Sequence, residues 1–282
     1  MRCFVGFLLL LIIFILIKMK RYISIVVILT ITFCSCQKVV VLNLNNTSPQ
    51  IVIQGEVTDS AGPYTVMINQ SVGFYANNIF PTVSGAIVKI SDNQGVTDSL
   101  TEASPGVYST HILQGVPGNT YTLSVFTQNT NYTATSTMPM PVMLDSITFQ
   151  TTSGFGQQQI SAVVNFQDPP GIKNYYQFIE YINGQQFTKN IFVLDDRLSD
   201  GKYISRTLRT DSSYLKSGDL LEVKMNCIDV NVYNYFNQLQ QSSGVGAFNT
   251  TASPANPSSN IRNGALGYFS AHTTQSKNVI VQ

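Results

Sequence analysis

Short runs in which every second residue is apolar recur from about residue 50 to the C terminus. Clear examples are residues 64–68, 86–90, 121–125 and 221–227. Side chains two positions apart lie on the same face of a strand, so each run predicts a strand with one buried face. Turn residues such as Gly, Pro, Asn and Asp separate the runs. The sequence therefore predicts a mainly β fold.

The spacing of these runs divides the chain into two parts. Residues 50–138 contain about seven short predicted strands, which is typical of a β-sandwich, either immunoglobulin-like or transthyretin-like. Tyr121 stands at the start of one strand, where it is either a tyrosine corner bonded to backbone or a plain core aromatic. Met138–Pro141 then alternates Met and Pro, and the residue before each proline is held extended. We expect a stiff boundary there, followed by a second sandwich-like domain over residues 142–282.

The second part carries two specific local signals. Asn183-Gly184 joins the β-rich runs Tyr175–Ile182 and Gln185–Val193, and this dipeptide favours a tight hairpin because both turn positions need positive φ. Residues 229–241 have apolar side chains at helical spacing and predict the one short helix. Cys227 ends an alternating run, so we expect it to be a buried structural thiol.

The first 35 residues have the composition of a secretory signal peptide. Two apolar stretches flank a basic cluster, and the sequence from Met19 onward has a basic start followed by an apolar core. We therefore interpret Met19 as the true start and residues 1–18 as a misassigned extension. The alternative is a membrane hairpin, although it would place the basic cluster at its turn and bury charge in lipid.

Phe33-Cys34-Ser35-Cys36 resembles a lipobox, the cleavage and acylation site of bacterial lipoproteins, without the usual Leu at its first position. Ser35 is the small residue required before the signal cleavage, and Cys36 would carry the lipid. Acyl chains contribute about 0.8 kcal/mol per buried CH₂, so two chains or more hold a protein at a membrane. Residues 36–49 would then be a lipid-anchored tether. The alternative is a plain secreted protein in which Cys36 has no special role.

Charge excludes one class of partner. Cleavage before Cys36 removes four basic residues and no acidic ones, which leaves 12 basic against 15 acidic residues and a net charge of −3. Nucleic-acid binding favours a clustered basic surface, so we expect no nucleic acid as partner. Charged residues make up only 11% of the whole chain, against about 25% in typical domains. This composition suits an exported β-rich protein.

Several phrases of the sequence carry a family resemblance. They are Val39–Leu44 just after the lipobox, Gly62–Val66, Val83–Val88, and the late pair Asn256–Ile261 and Gly264–Phe269. Together they are similar to the lipoproteins grouped as domain of unknown function 4249. The resemblance covers essentially the whole mature chain and implies a Bacteroidota-type accessory lipoprotein, often found beside TonB-dependent outer-membrane receptors. It implies no catalytic residues.

Signals for catalysis are weak. His111 and His272 are the only histidines and fall in different predicted domains, whereas triad chemistry needs a histidine beside a nucleophile and a carboxylate. We expect both to be ordinary structural positions, and we expect no enzyme, no cofactor and no metal. A hydrolase that combines acids such as Asp195, Asp196, Asp211 and Glu180 is the alternative.

Asp195, Asp196 and Asp200 precede Gly201 and raise the separate question of a cation site. Oxygen ligands close together before a glycine are a feature of Ca²⁺ loops. The spacing departs from such a loop, and Arg197 lies among the acids, so a solvated turn is favoured. Whether these three residues bind a cation is left open by the sequence.

One loop of the first domain is unusually apolar. Phe74, Tyr75 and Phe80 lie between two predicted strands, and exposed aromatic side chains of this kind mark contact with a partner or ligand. They would equally serve as a cap over the end of the sandwich. We retain all three as candidate contact residues.

The sequence thus predicts a lipid-anchored lipoprotein of the outer membrane, non-enzymatic, that works with a TonB-dependent receptor in nutrient uptake. A carbohydrate-binding or adhesive surface module is the main alternative. The ligand and the membrane face on which the protein lies are not determined by the sequence.

Overall fold

The alternating runs form strands because β-branched and aromatic residues fit a pleated, half-buried surface. A computed structural model describes residues 48–73, 77, 79–154, 157–187, 191–208, 215–242 and 256–282. These residues form sixteen strands and one helix, which confirms the predicted mainly β fold. The strands of the first half are β1 (Ile51–Thr58), β2 (Thr65–Gln70), β3 (Ile87–Asp92), β4 (Thr97–Ser99), β5 (Thr101–Ser104), β6 (Val107–Ser109), β7 (Thr120–Thr127) and β8 (Thr130–Thr137).

The first half is a β-sandwich with one core. One layer contains the strands β1-β2-β6-β5 in that order, and the other contains β4-β3-β7-β8. The predicted alternation is confirmed: Val66 and Ile68 of β2 are fully buried, as are Leu123 and Val125 of β7. These side chains belong to one apolar cluster between the two layers. The burial of alternate residues therefore fixes which face of each strand points inward.

The second half repeats this arrangement with different strands. A three-stranded sheet of order β14-β10-β9 packs through a second apolar cluster on strands β11 and β15 of the largest sheet. Leu221, Val223, Met225 and Cys227 of β15 are all buried in this core, which confirms the expected burial of the cysteine thiol. The strands of this half are β9 (Ser146–Gly154), β10 (Gln157–Gln167), β11 (Tyr175–Ile182), β12 (Gln185–Gln186), β13 (Phe192–Asp195), β14 (Tyr203–Leu208), β15 (Leu220–Cys227) and β16 (Leu266–Ile280).

The last strand, β16, belongs to both halves. Its first part pairs in parallel with β1, from Val52 opposite Leu266 to Thr58 opposite His272. Its second part pairs antiparallel with β15. The largest sheet therefore runs without a break in the order β12-β11-β15-β16-β1-β2-β6-β5. Each half has its own core, but the two share a strand, so the division at residues 138–142 stays a prediction.

One glycine and one asparagine position the start of β16 in this sheet. Gly267 has a φ of +95°, and a Cβ there would lie 2.0 Å from the carbonyl oxygen of Ile53. A larger residue would push β16 away from β1. Asn260 pairs with the backbone of Phe269 in both directions: its Oδ1 accepts from the N–H at 3.0 Å, and its Nδ2 donates to the carbonyl at 2.7 Å. The late sequence phrase thus positions the shared strand.

The predicted helix is confirmed as α1 (Val230–Ser242). Asp229 caps it, because one carboxylate oxygen accepts from the N–H groups of Asn231 and Val232. The other oxygen of Asp229 accepts from the hydroxyl of Ser136 on β8, which ties the start of the helix to the first sandwich. Within the described part of the chain, no helix combines the length and apolar character needed to cross a membrane.

The Asn183-Gly184 turn is confirmed, with positive φ at both residues. The strand after it is shorter than predicted. β12 covers only two residues, and β13 then pairs separately with the first half of β11. The register changes between these pairings, so the predicted run Gln185–Val193 is interrupted rather than continuous.

Tyr121 has both of its proposed roles. Its ring is fully buried in the first core, and its hydroxyl accepts a 2.6 Å hydrogen bond from the N–H of Val116. The bond to upstream backbone is that of a tyrosine corner, and it anchors the loop before β7.

Candidate ligand-binding site

Most of the residues predicted from sequence to make contacts lie outside the described residues. This holds for Ser35 and Cys36, for Phe74 and Tyr75, and for Asp211. Their roles stay predictions.

Phe80 is the one loop aromatic that the structure describes. Its side chain is 52% exposed, and its neighbour Ile79 is 76% exposed. Thr82, two residues on, forms a bridge with Asn69 on β2, so this end of the loop is joined to the first sandwich. The side chain of Phe80 is therefore largely exposed and is not part of the first apolar core.

The structure brings together three acidic residues, but they are not the same three that the sequence suggested. Carboxylate oxygens of Asp168, Asp196 and Asp200 lie within 4.8 Å of one another. Asp195 is not part of this group: its carboxylate accepts from Arg197 at 2.8 Å and from the hydroxyl of Tyr233 at 2.9 Å. Sequence distance hid Asp168, which reaches the cluster from the end of β10.

The oxygens of this cluster are used to hold the chain itself. Asp168 accepts from the hydroxyl of Tyr176 and from the N–H of Gly201 at 3.0 Å. Asp196 accepts from the N–H of Asn174 at 2.6 Å. Burial raises the pKa of Tyr176, and the bond to Asp168 raises it further. Together these hydrogen bonds form a network that stabilises the turns at one end of the second sandwich.

His111 lies at the edge of the first sandwich in a structural hydrogen-bond network. The Oδ2 atom of Asp98 accepts from the N–H groups of His111, Ile112 and Leu113 at 2.7–2.9 Å. Burial tends to raise the pKa of Asp98, but these bonds outweigh it and the pKa is lowered. The imidazole of His111 lies 3.3 Å from the same carboxylate and 2.9 Å from the hydroxyl of Thr101.

His272, in contrast, lies beside a cavity on the outer face of the largest sheet. The parallel register places Glu56 opposite Ser270 and Thr58 opposite His272, so Glu56, Ser270 and His272 share that face. They line a cavity of about 190 Å³ together with other residues of β11, β15 and α1. The further lining residues are Gln177, Phe178, Ile179, Gln186, Phe187, Ile191, Phe192, Asn226, Phe236 and Tyr268.

The polar side of this cavity is a short hydrogen-bonded row. Ser270 Oγ lies 3.0 Å from Nδ1 of His272. On the neighbouring strands, Thr274 donates to Asn226 at 3.0 Å and Asn226 donates to Gln177 at 3.3 Å. Burial lowers the pKa of His272 to about 4, so its imidazole is neutral near pH 7.

Two groups at the cavity have unused hydrogen-bonding capacity. Within the described residues, Nε2 of His272 has no hydrogen-bond partner. This atom is accessible from the cavity. The carboxylate of Glu56 also lacks a hydrogen-bond partner there, and its side chain is exposed at the rim. Surrounding protein atoms raise the pKa of Glu56 by desolvation, and Lys224 partly offsets that effect.

Aromatic rings adjoin this polar row. Phe236 on α1 packs edge-on against Tyr268 of β16, with ring centroids 4.9 Å apart. Tyr235 contacts the same ring at 5.1 Å. Burial raises the pKa of Tyr268 above its ordinary value. Phe236 of α1 therefore adds apolar surface at one end of the polar row, beside its polar groups.

A second, mostly apolar groove lies where the two halves meet. It measures about 440 Å³ and is lined by Pro139, Met140, Pro141, Ile172 and Val230, among others. Its lining also includes Lys173, Asn174 and Asp229, but apolar side chains predominate. The polar cavity beneath α1 has the apolar wall and converging polar groups that small-molecule sites share.

Sequence reasoning did not find this cavity. Glu56, Ser270 and His272 are polar residues at alternate positions of strands, which the sequence indicates only as an outward face. Their convergence depends on a parallel pairing between residues more than 200 positions apart. The available signal was the polar spacing of Tyr268, Ser270 and His272 in the first part of β16, where the residues between them are buried.

The comparison with known families bears on the whole fold. The family model described as "Domain of unknown function (DUF4249)" matches residues 37–278. The chain belongs to this family. The expected family resemblance is thereby confirmed, and the match spans both sandwiches and the cavity of this DUF4249 protein. No curated protein matches the sequence.

Proposed function

We propose that this DUF4249 protein is a lipid-anchored, non-enzymatic accessory protein of the outer membrane that binds a small polar ligand. The cavity beneath α1 is the observation that carries the proposal. Its polar row offers Glu56 and His272 with unused hydrogen-bonding capacity, next to the rings of Phe236 and Tyr268. Pockets with one apolar wall and a few placed polar groups are typical of small-ligand sites.

The membrane attachment rests on the sequence. Ser35-Cys36 ends an apolar leader, and a lipid on Cys36 would hold the protein without a spanning helix. The partner we propose is a TonB-dependent receptor, to which the accessory protein would present its ligand for uptake. The resemblance to the family motivates this partner. The proposal holds whether the protein lies on the outer or the inner face of the membrane.

The hydrogen bonding around the cavity favours binding over hydrolysis. Ser270 and His272 form a Ser–His pair, but a triad also requires a carboxylate that orients the imidazole. None of the described carboxylates hydrogen-bonds to His272. A pKa of about 4 also makes its imidazole a weak base near pH 7.

Co-purification tests the partnership. The full chain with a C-terminal affinity tag, expressed in its native host, should be extracted in detergent and captured beside its Cys36→Ser variant. We expect a TonB-dependent receptor with the wild type at near-stoichiometric amount, and labelled fatty acid on the wild type alone. Absence of any such receptor across several detergents and growth conditions would contradict the partnership. Absence of label on the wild type would contradict the lipid anchor.

A further inference from the structure

The charge of the cavity restricts its ligand. Glu56 is the only carboxylate among the lining residues, and none of them is Lys or Arg. His272 adds no positive charge near pH 7 because burial lowers its pKa. An anionic ligand would therefore meet the Glu56 carboxylate inside the cavity, whereas Lys224, the cation that acts on Glu56, lies outside the lining. The loss of the ligand's hydration would be poorly compensated.

The free hydrogen-bonding groups are of both kinds. The carboxylate of Glu56 can only accept while it is ionised, whereas the side-chain amide N–H groups of Gln177 are donors, since its oxygen already accepts from Asn226. Nε2 of His272 supplies one donor or one acceptor, depending on the tautomer. An ammonium ion only donates and would leave the amide donors unmatched. A hydroxyl both donates and accepts, so several hydroxyls would satisfy the whole set.

The aromatic rings and the volume of the cavity also restrict the ligand. Phe236 and Tyr268 present ring surface to the cavity, and such surface packs well against the C–H face of a ring. The volume of about 190 Å³ is below the range of about 300–1,000 Å³ for drug-sized ligands. The cavity therefore has room for one small ring.

We infer that the cavity beneath α1 binds a neutral, polyhydroxylated ring, a single sugar unit either free or at the end of a glycan. Glu56 and Gln177 bind hydroxyls of the ring, and Phe236 and Tyr268 pack on its face. The inference rests on the proposed binding function and assigns its ligand class.

Titration calorimetry of the full-length chain in detergent tests the inference. The probes are the methyl glycosides of glucose, galactose, mannose and N-acetylglucosamine, with glucuronate and butylammonium as charged comparators. We expect at least one neutral glycoside to bind, with glucuronate at least about tenfold weaker. Glu56→Ala should weaken that glycoside about 10- to 100-fold, the equivalent of one hydrogen bond to a charged group.

Glu222→Ala is the matched control, because Glu222 lies on β15 in the same sheet and outside the cavity lining. It should leave the affinity unchanged. Both side chains reach solvent, so both variants should keep the wild-type melting temperature. No binding of any neutral glycoside, or equal weakening by the two variants, would overturn the inference.

The two proposals fail separately. Receptor recovery together with binding of butylammonium or glucuronate alone would keep the accessory function and refute the sugar. Glycoside binding that depends on Glu56 but occurs without a recovered receptor would support the sugar and refute the partnership.

Discussion

Asp98 and Glu180 are both buried carboxylic acids, one in each half of the molecule, and their surroundings differ completely. Asp98 is 3% exposed and accepts three backbone N–H groups, so its pKa is lowered. Glu180 is 1% exposed, and neither of its oxygens has a hydrogen-bond partner within the described residues. Burial alone raises the pKa of Glu180 to about 8.

The Asp98 carboxylate holds a turn together through its hydrogen bonds. The Glu180 carboxyl group is buried without hydrogen-bond partners among the described residues. The N–H groups of a turn replace the water that ionised Asp98 loses. Glu180 lies on β11 opposite Val223 of β15, with its side chain in the second core, and is neutral in the folded protein near pH 7. These two carboxyl groups therefore make the stability depend on pH in opposite directions. Stability from Asp98 is lost in acid, and stability is lost at Glu180 as the pH rises.

Removal of the Asp98 carboxylate should have the largest effect. Asp98→Ala leaves three backbone N–H groups without their acceptor, and we expect a loss of about 3–5 kcal/mol in the free energy of unfolding. Urea unfolding at pH 7 measures it. Asp98→Asn keeps one acceptor oxygen and should lose clearly less. Equal losses for the two variants would show that the charge, and not the acceptor geometry, holds this turn.

Neutralising Glu180 should have the next largest effect, and of opposite sign. The folded pKa of about 8 exceeds the unfolded value of about 4.5, so wild-type stability is fully present below pH 4.5 and falls as the pH rises toward 8. Glu180→Gln cannot ionise and should be more stable than wild type at pH 8 by about 2–4 kcal/mol. Near pH 4.5 the two should be similar.

Unfolding curves across pH 4.5–8 distinguish this cause from a general charge effect. Glu222→Gln removes a negative charge from the adjacent strand, where the carboxylate is accessible to solvent. That control should keep the wild-type dependence on pH. A wild type with no loss of stability over this range would mean that the Glu180 carboxyl finds partners when it ionises.

The local part of this fold could be predicted because local rules determine it. Alternation identified the inward residues of β2, β7 and β15, and Asn183-Gly184 identified its turn through positive φ. The position of β16 could not be predicted. Alternation gives the face of a strand but not its neighbour, and pairing with β1 closes a loop of more than 200 residues.

The candidate site escaped prediction for the same reason. Glu56 and His272 are separate polar residues in the sequence, and only the parallel register brings them to one cavity. The acidic cluster shows the reverse error. Asp195 and Asp196 are adjacent in sequence, but neighbouring residues of an extended chain point to opposite sides, so their carboxylates have different partners.

His111 gives the smallest expected effect and the finest test of the comparison. Its imidazole lies 3.3 Å from Asp98, but it is 47% exposed, and exposed ion pairs contribute only about 0.2–1 kcal/mol. His111→Ala keeps the backbone N–H that donates to Asp98 at 2.7 Å. We therefore expect a loss below about 1 kcal/mol in urea unfolding at pH 7. A loss as large as that of Asp98→Ala would mean that the imidazole, rather than three backbone N–H groups, compensates for the burial of Asp98. The contrast with Glu180 would then depend on one exposed side chain and not on the geometry of the turn.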